Sequence, residues 1–223
     1  MSGRVVLVTG ASSGIGLACA DRLHLVGWTV IGTSRRAMGG LGWEAMRMDV
    51  DDDASVADGV AAILDRHGRL DAVVTCAGWG LAGAVEHTPI ERAKAQFETN
   101  YWGWVRVARA ALPALRASND GRLVFMSSIG GAIGIPFQAF YSSSKFALEG
   151  YAESLAYEVA PFGVKVTLVQ PGNFRTGFTD ARESQKDSKY LGNCPNGNLY
   201  TAELIDADGK TVKSLWKDRK SVV

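Results

Sequence analysis

Cysteine and histidine, which build most disulfides and zinc sites, are scarce in this chain. The sequence holds three cysteines, Cys19, Cys76 and Cys194, with no C-x-x-C pair, and its three histidines share no ligand spacing. Scattered cysteines in an odd number argue against a disulfide framework and against a zinc site. The acidic run 49–53 lacks the glycine and the spaced glutamate of a calcium loop. We therefore expect no metal, and a reducing compartment.

A surplus of charge and long hydrophobic runs are absent too. The formal net charge is +1, which gives no electrostatic reason to expect nucleic acid or an anionic membrane as a partner. The uncharged residues 72–85 are glycine-rich and fewer than the roughly 20 that a membrane span needs. The apolar residues 5–8 are too few for a signal-peptide core. We expect a cytoplasmic protein without a membrane span or a nucleic-acid partner.

Short apolar runs alternate with helical patterns along the chain. The runs that predict strands are 4–9, 29–34, 45–48, 71–75, 122–127 and 164–169, and the helical patterns lie near 14–27, 54–67, 89–117 and 141–160. Most of the runs are apolar on both faces, which suits a parallel sheet covered on each side. The pattern predicts a single-domain α/β fold of the Rossmann type, a doubly wound parallel sheet with helices on both faces.

The C-terminal part has a different character, since the chain becomes polar from about residue 180. We divide the whole chain into a dinucleotide-binding and catalytic domain, 1–179, and a C-terminal segment, 180–223. Residues 199–205 and 211–216 could pair as a hairpin across Asp208-Gly209. A loosely ordered tail is the alternative interpretation.

A glycine-rich loop follows the first predicted strand and opens the first helix. It reads Thr9-Gly-Ala-Ser-Ser-Gly14-Ile-Gly16. A plain turn would need one glycine, whereas three allow the backbone to approach a diphosphate that faces the amide groups of the helix N-terminus. The loop lacks the Gly-Lys-Ser/Thr of a P-loop. It predicts a dinucleotide site.

Tyr141 and Lys145 form a candidate proton-transfer pair. Four residues apart on a predicted helix, they project from the same face, and Ser128 lies thirteen residues upstream. A nearby positive charge lowers the pKa of a phenol from its usual value of about 10, as a general acid/base acting on an alcohol or carbonyl requires. The spacing alone is weak evidence and needs its context.

The context resembles the short-chain dehydrogenase/reductase family, classical type, over roughly residues 3–178. The motifs that carry the resemblance occur in the family's order: the loop at 9–16, Ala77-Gly78, Asn100, Ser128, Tyr141-x-x-x-Lys145, Pro171-Gly172 and Thr176. Gly130-Gly131, Pro136-Phe137 and residues 145–150 look like the branch that includes 17β-hydroxysteroid and retinol dehydrogenases.

The resemblance implies a catalytic role for four residues. Tyr141 would exchange a proton with the substrate oxygen, and Lys145 would lower the tyrosine pKa and bind the nicotinamide ribose. Ser128 would hydrogen-bond the substrate oxygen, and Asn100 would help hold a water that relays protons. These roles agree with the physical reading of a donor and an acid beside an oxygen where negative charge develops.

The resemblance implies a cofactor site whose residues are spread along the chain from position 10 to position 176. Its expected residues are Gly10, Ser12, Ser13, Gly14, Ile15, Gly16, Arg35, Arg36, Asp49, Val50, Ala77, Gly78, Tyr141, Lys145, Pro171, Gly172 and Thr176. Ser34-Arg35-Arg36 follows the second strand, where an acid would accept ribose hydroxyls and an arginine would accommodate a 2′-phosphate. No acid stands there, so NADP(H) is favoured over NAD(H). A solvated basic turn is the alternative.

Two departures from the family pattern stand out. Cys76 replaces the asparagine of the family's Asn-Ala-Gly, and residues 180–223 do not map onto its C-terminal elements. We expect an NADP(H)-dependent oxidoreductase that interconverts an alcohol and a ketone or aldehyde. Trp79, Phe137 and Phe140 fall on the expected substrate side, which suggests a hydrophobic substrate.

Other interpretations stay open at this point. Because of the unfamiliar tail, a nucleotide-binding protein without turnover is the second hypothesis. An epimerase or dehydratase of the related extended family is the third, although the form of the glycine loop argues against it. The family also implies a homodimer or homotetramer built on the helices near 89–117 and 141–160.

Overall fold

The computed structural model describes residues 3–172, 178 and 182–184, together with the backbone of 204–205 and 211–212. The strands and helices follow in chain order: β1 (Val5–Thr9), α1 (Gly14–Leu25), β2 (Thr29–Ser34), β3 (Glu44–Arg47), α2 (Asp53–His67), β4 (Ala72–Thr75), β5 (Leu81–Ala82), α3 (Ile90–Phe97), α4 (Gly103–Ala117), β6 (Arg122–Met126), α5 (Ala139–Val159), β7 (Lys165–Val169), β8 (Glu183–Ser184), β9 (Leu204–Ile205) and β10 (Thr211–Val212).

Six parallel strands form the central sheet in the order β3-β2-β1-β4-β6-β7. The strand order reverses between β1 and β4, and ligands of doubly wound sheets bind at the carboxyl ends of the strands beside such a reversal. The predicted Rossmann-type fold is confirmed.

Two hydrophobic layers cover the sheet. On one face α2, α4 and α5 pack against it around fully buried side chains such as Trp104, Phe125 and Leu148. On the other face α1 packs with Trp43, whose ring lies against Gly32. Because β1 and β4 are buried on both faces, each consists of apolar residues up to the threonine that ends it.

The predicted helix 89–117 is divided by a π-turn. Residues Glu98–Trp102 form this wider turn between α3 and α4, and Asn100 lies at its centre, fully buried. Such turns insert a residue into a helix and occur often at functional sites. Pro113 does not end the helix, which continues to Ala117.

Element boundaries differ from the sequence patterns by one or two residues. Strand β3 begins at Glu44, α1 ends at Leu25 and α5 begins at Ala139. The cap of α2 is Asp52, whose Oδ1 accepts a hydrogen bond from the Ser55 amide at 2.8 Å.

Parts of the C-terminal segment are described. Strand β8 pairs in parallel with β5, so that residues 182–184 lie on the loop that follows β4. Strands β9 and β10 pair antiparallel, as the proposed hairpin requires, and the residues between them lie outside the described part. Within the described chain, no helix is long and apolar enough to cross a bilayer.

Candidate active site

A cavity of about 400 Å³ opens at the carboxyl ends of the parallel strands. The predicted site residues that line it are Gly10, Ser12, Ser13, Gly14, Ile15, Gly16, Arg35, Arg36, Val50, Ala77, Gly78, Asn100, Ser128, Tyr141, Lys145, Pro171 and Gly172. The structure therefore brings residues from across the first 172 positions to one place.

Two predicted cofactor residues are not among those lining the cavity. The Asp49 carboxylate accepts a hydrogen bond from the Asp51 amide at 3.1 Å, while its own amide donates to Ser55 at 3.0 Å. Asp49 thus stabilises the turn before α2, next to Val50. Thr176 lies outside the described residues.

Two glycine positions of the loop leave no room for a side chain. A Cβ atom on Gly10, whose φ is +66°, would lie 2.6 Å from the amide nitrogen of Ala77, and one on Gly16 would lie 2.3 Å from the Gly10 oxygen. The Thr9 hydroxyl accepts hydrogen bonds from the amides of Cys76 and Ala77, at 3.1 and 3.2 Å. The ends of β1 and β4 are therefore joined beneath the cavity.

The N-terminus of α1 suits an anion. Neither a capping hydrogen bond from Ser13 nor an acidic residue in the first turn offsets its positive end within the described residues, and Ile15 and Gly16 line the cavity. A diphosphate is the group that such a glycine-lined helix end accommodates. The residues present fit a dinucleotide cofactor, and the loop would contact its diphosphate.

Tyr141 and Lys145 project from α5 into the same cavity, and both are buried, with exposed fractions of 7% and 4%. The Lys145 Nζ atom lies 5.9 Å from the centre of the Tyr141 ring. Ser128 ends the loop after β6, and its Oγ accepts a hydrogen bond from the Gly130 amide at 3.1 Å. A Cβ atom on Gly130 would lie 3.2 Å from the Tyr141 ring, so glycine permits the close approach of the serine loop to the tyrosine.

Lys145 lies in an apolar setting with one hydrogen bond. Its Nζ donates to the Met126 oxygen at 3.0 Å and lies 4.0 Å from the centre of the Trp104 ring. Burial lowers the pKa of Lys145 to about 7, and the nearby Cys76 and Glu149 act in the opposite direction. The Trp104 face favours the charged form by a cation–π contact.

Asn100 anchors the loop after β4. Its Oδ1 accepts from the Trp79 amide and its Nδ2 donates to the Trp79 oxygen, both at 3.0 Å. Its Nδ2 also lies 3.5 Å from the hydroxyl of Ser144, one residue before Lys145. Asn100 therefore connects the π-turn, the cavity wall and α5.

The basic turn after β2 lies at the other end of the cavity. Arg35 and Arg36 are exposed and line it, and the Ser34 hydroxyl donates to the Arg36 oxygen at 2.5 Å and accepts from the Arg36 amide at 3.2 Å. The turn is thus closed on itself by Ser34, and both arginine side chains are exposed at the cavity.

The substrate side contains residues that the sequence patterns did not identify. Ile135, Gln138, Phe178 and Arg182 line the cavity together with the expected Trp79. Phe137 and Phe140 are not among the described lining residues. Spacing could have found Trp104, which follows Asn100 by one helical turn, but Phe178 and Arg182 carry no local signal.

The described residues 178 and 182–184, here called the strap, lie over this side. The Phe178 and Tyr141 ring centres are 6.0 Å apart, and the Glu183 amide donates to the Gly80 oxygen at 2.9 Å. The Arg92 guanidinium pairs with the Glu183 carboxylate through two hydrogen bonds, and it lies 5.1 Å from the centre of the Trp79 ring. These contacts place β8 beside the mouth of the cavity.

Comparison with known proteins agrees with this geometry. The family model described as short chain dehydrogenase matches residues 4–187. A 3-ketodihydrosphingosine reductase of Bacteroides thetaiotaomicron is 46% identical over 183 residues, which are 82% of this chain and 68% of that protein. The human 17-beta-hydroxysteroid dehydrogenase type 1 is 38% identical over 198 residues, covering 81% of this chain and 60% of that protein.

A solved structure gives the same result. An actinorhodin polyketide ketoreductase variant with NADPH superposes with a TM-score of 0.75 at 34% identity, covering 78% of this chain and 72% of that chain. The model match, the relatives and the shared fold lead to one conclusion. This chain belongs to the short-chain dehydrogenase/reductase family of NAD(P)-dependent oxidoreductases.

Proposed function

We propose that this protein is an NADP(H)-dependent oxidoreductase that interconverts an alcohol and a ketone or aldehyde, with Tyr141 as its general acid/base. The observation that carries the proposal is the burial of Lys145 beside Tyr141 in the cavity that the glycine loop also lines. A buried amine next to a phenol, at the end of a dinucleotide cleft, is an arrangement for proton transfer.

The roles of the residues follow from their positions. In the reductive direction, Tyr141 donates its phenolic proton to the substrate oxygen as negative charge develops there, and Ser128 stabilises that oxygen by a hydrogen bond. Protonated Lys145 then stabilises the phenolate. A nicotinamide cofactor held at the glycine loop would supply the hydride. Asn100 keeps the wall beside them in place and takes part in proton exchange with solvent.

The NADP(H) preference rests on the basic turn. Guanidinium groups bind phosphate through paired hydrogen bonds, and Arg35 and Arg36 line the cavity with no acid at the end of β2. The Ser34 hydroxyl is occupied by the Arg36 backbone. The arginine side chains are therefore the groups that would receive a 2′-phosphate.

A hydrophobic substrate is supported by the side chains nearest the tyrosine. Trp79, Ile135 and Phe178 contribute apolar surface to this part of the cavity. Two relatives are named for a ketosphingoid base and a steroid. We propose a small hydrophobic carbonyl or alcohol, with Arg182 at the rim available to a polar end.

A homodimer or homotetramer is part of the proposal. Trp102 is 49% exposed at the end of the π-turn, and Tyr157 is 77% exposed on α5. Large aromatic side chains on exposed helices favour burial against a second copy.

The test of the proposed function combines turnover with cofactor binding. NADPH oxidation is measured with a panel of aliphatic, steroid and long-chain ketones, and NADPH binding is measured by fluorescence. We expect turnover with at least one hydrophobic ketone, and a loss of about 10²–10⁴-fold in kcat for Tyr141→Phe with a much smaller change in NADPH affinity.

The matched control is Ser143→Ala, which removes an exposed hydroxyl from the same helix and should leave both quantities unchanged. NADPH binding without turnover on the whole panel would support the alternative of a binding protein. Full activity of Tyr141→Phe would contradict the assignment of the general acid.

A further inference from the structure

Two thiols meet between α1 and the end of β4. Cys19 lies on the second turn of α1, and Cys76 directly follows β4. A Cβ atom on Gly16, three residues before Cys19, would lie 3.1 Å from the Cβ atom of Cys76. Since residues three apart share a helix face, the face of α1 that carries Cys19 packs on Cys76.

The two thiols lie close enough for each to shift the pKa of the other, and neither is in a disulfide. Both are partly buried and pack with the hydrophobic layer between α1 and the sheet. Cys76 also lines the cofactor cavity, whereas Cys19 lies behind it. The pair therefore joins the cavity wall to the hydrophobic layer behind it. Neither thiol takes part in the proposed reaction.

We propose that Cys19 and Cys76 form a redox-active thiol pair that hydrogen peroxide closes to a disulfide, and that the closed form binds the nicotinamide cofactor more weakly. This goes beyond the proposed function, because neither residue acts on the substrate. It is a modification site specified by two side chains that contact each other.

The thiols differ in acidity in a way that orders the steps. Interaction with Cys76 lowers the pKa of the Cys19 thiol to about 7, despite an opposing effect of burial. Interaction with Cys19, and after it burial, raise the pKa of the Cys76 thiol. Cys19 is therefore the more acidic of the two thiols, and we assign Cys76 as the resolving thiol.

The chemistry balances with peroxide as the two-electron oxidant. The Cys19 thiolate attacks one peroxide oxygen, the O–O bond breaks, and the departing hydroxide takes up the proton that Cys19 had released, which gives water and a sulfenic acid. The Cys76 sulfur then attacks the Cys19 sulfur. The S–O bond breaks, the S–S bond forms, and the hydroxyl leaves as a second water with the Cys76 proton.

The disulfide would alter the cavity wall. An S–S bond measures about 2.05 Å, shorter than the separation of two sulfur atoms that are not bonded, so closure draws Cys76 toward α1. The amides of Cys76 and Ala77 both bind the Thr9 hydroxyl, at the base of the glycine loop. A shift there changes the surface on which the cofactor would lie, and we expect its dissociation constant to rise on the order of fivefold.

The experiment uses the full chain with Cys194→Ser, which leaves only this pair. The protein is titrated with hydrogen peroxide, remaining thiols are alkylated, and peptides are analysed by mass spectrometry without reduction. We expect one linked species that joins the peptides of Cys19 and Cys76, lighter by two hydrogen atoms and abolished by dithiothreitol. Alkylation of both thiols after peroxide treatment, or oxidation of Cys19 to the sulfinic acid without a link, would overturn the proposal.

The matched variants are Cys19→Ser and Cys76→Asn, the second of which introduces the residue expected from the family pattern. Neither should form the link. NADPH fluorescence titrations of the reduced and oxidised protein then test the coupling, and equal dissociation constants would overturn it. Since the link is detected by mass, its formation does not depend on turnover and is judged separately from the proposed function.

Discussion

The side-chain amide of Asn100 binds both polar groups of the Trp79 peptide backbone, with its Oδ1 3.0 Å from the nitrogen and its Nδ2 3.0 Å from the oxygen. Asn100 is fully buried, so no water replaces these bonds when the amide is removed. Beyond the role that its family resemblance implies, Asn100 thus anchors the loop that forms the substrate side of the cavity.

Asn100→Ala should lower the free energy of unfolding by about 1–3 kcal/mol, because two hydrogen bonds are lost and the Trp79 amide loses its partner, while Gln96 Nε2 still donates to the Trp79 oxygen at 2.9 Å. Denaturant unfolding followed by far-UV circular dichroism measures this. Ser143→Ala, at an exposed position of α5, is the control and should have little effect. A loss below about 0.5 kcal/mol for Asn100→Ala, the range of ordinary surface substitutions, would contradict the anchoring role.

The stability of the cofactor-free protein should rise with pH because of Lys145. Burial lowers its pKa to about 7 from 10.5, so between these values the unfolded chain binds more protons than the folded one. Stability then increases with pH, by at most about 1.4 kcal/mol per pH unit, and this rise ends above the unfolded pKa.

Below pH 7 both states are protonated and the full cost of burying the charge remains. Urea unfolding from pH 7 to 10 measures the slope, and Lys145→Met is the comparison because it keeps the length of the side chain without the charge. We expect the slope to be smaller in Lys145→Met than in the original protein. Equal slopes in the two proteins would show that Lys145 keeps an ordinary pKa.

Two glycine-to-alanine substitutions should have different effects, since one weakens NADPH binding and the other stabilises the protein. In Gly16→Ala the new Cβ would lie 2.3 Å from the Gly10 oxygen, so the glycine loop must move. We expect NADPH affinity to fall by at least about tenfold, equivalent to 1.4 kcal/mol. Gly150→Ala on α5 meets nothing within 4 Å and should stabilise the protein by about 0.5–1 kcal/mol. Fluorescence titration and thermal unfolding of both variants check the contrast.

The cofactor preference can be tested at Arg35 and Arg36. Their joint replacement by alanine should raise the KM for NADPH by at least about tenfold and leave the KM for NADH nearly unchanged, because only NADPH carries the phosphate that the guanidinium groups would bind. Arg22→Ala, an exposed position on α1, is the control for loss of positive charge. Equal effects on the two cofactors would contradict the NADP(H) assignment.

The Arg92–Glu183 pair should matter for substrate more than for stability. Both side chains are partly exposed, so the pair contributes about 0–1 kcal/mol to stability. Arg92→Met removes the bond to β8 and the stacking on Trp79, and we expect a several-fold rise in the KM for substrate with an unchanged KM for NADPH. The double variant Arg92→Glu with Glu183→Arg should restore part of the loss. An unchanged KM for substrate in Arg92→Glu alone or in Glu183→Arg alone would contradict this role of the strap.

Local patterns predicted the central sheet because its inner strands β1 and β4 are buried on both faces and therefore consist of nearly continuous apolar runs, as in Val5-Val-Leu-Val8. The function of the loop at 9–16 could also be predicted from local sequence, because contacts within a few ångströms require its glycines. Strands β5 and β8 were not predicted: each has two residues, and they lie about a hundred positions apart, so only the folded chain brings them together.

The candidate site divides in the same way. Tyr141, Lys145 and the glycine loop follow spacings of a single element, whereas Phe178 and Arg182 reach the cavity through the pairing of β8 with β5. The π-turn was missed because the helical patterns before and after it allow one continuous helix, and only the backbone hydrogen bonds show the wider turn.

That turn fixes the rotational phase of the two helices that flank it. Its wider hydrogen-bonding pattern absorbs one residue more than a regular α-helix would, so α3 and α4 keep their phase although Glu98–Trp102 holds an extra residue. Deleting one of these residues would let the helix continue regularly and leave Ala93 and Gln96 on the core side. The bonds from Asn100 to the Trp79 backbone, which start from the widened turn, are the contacts that the deletion would break.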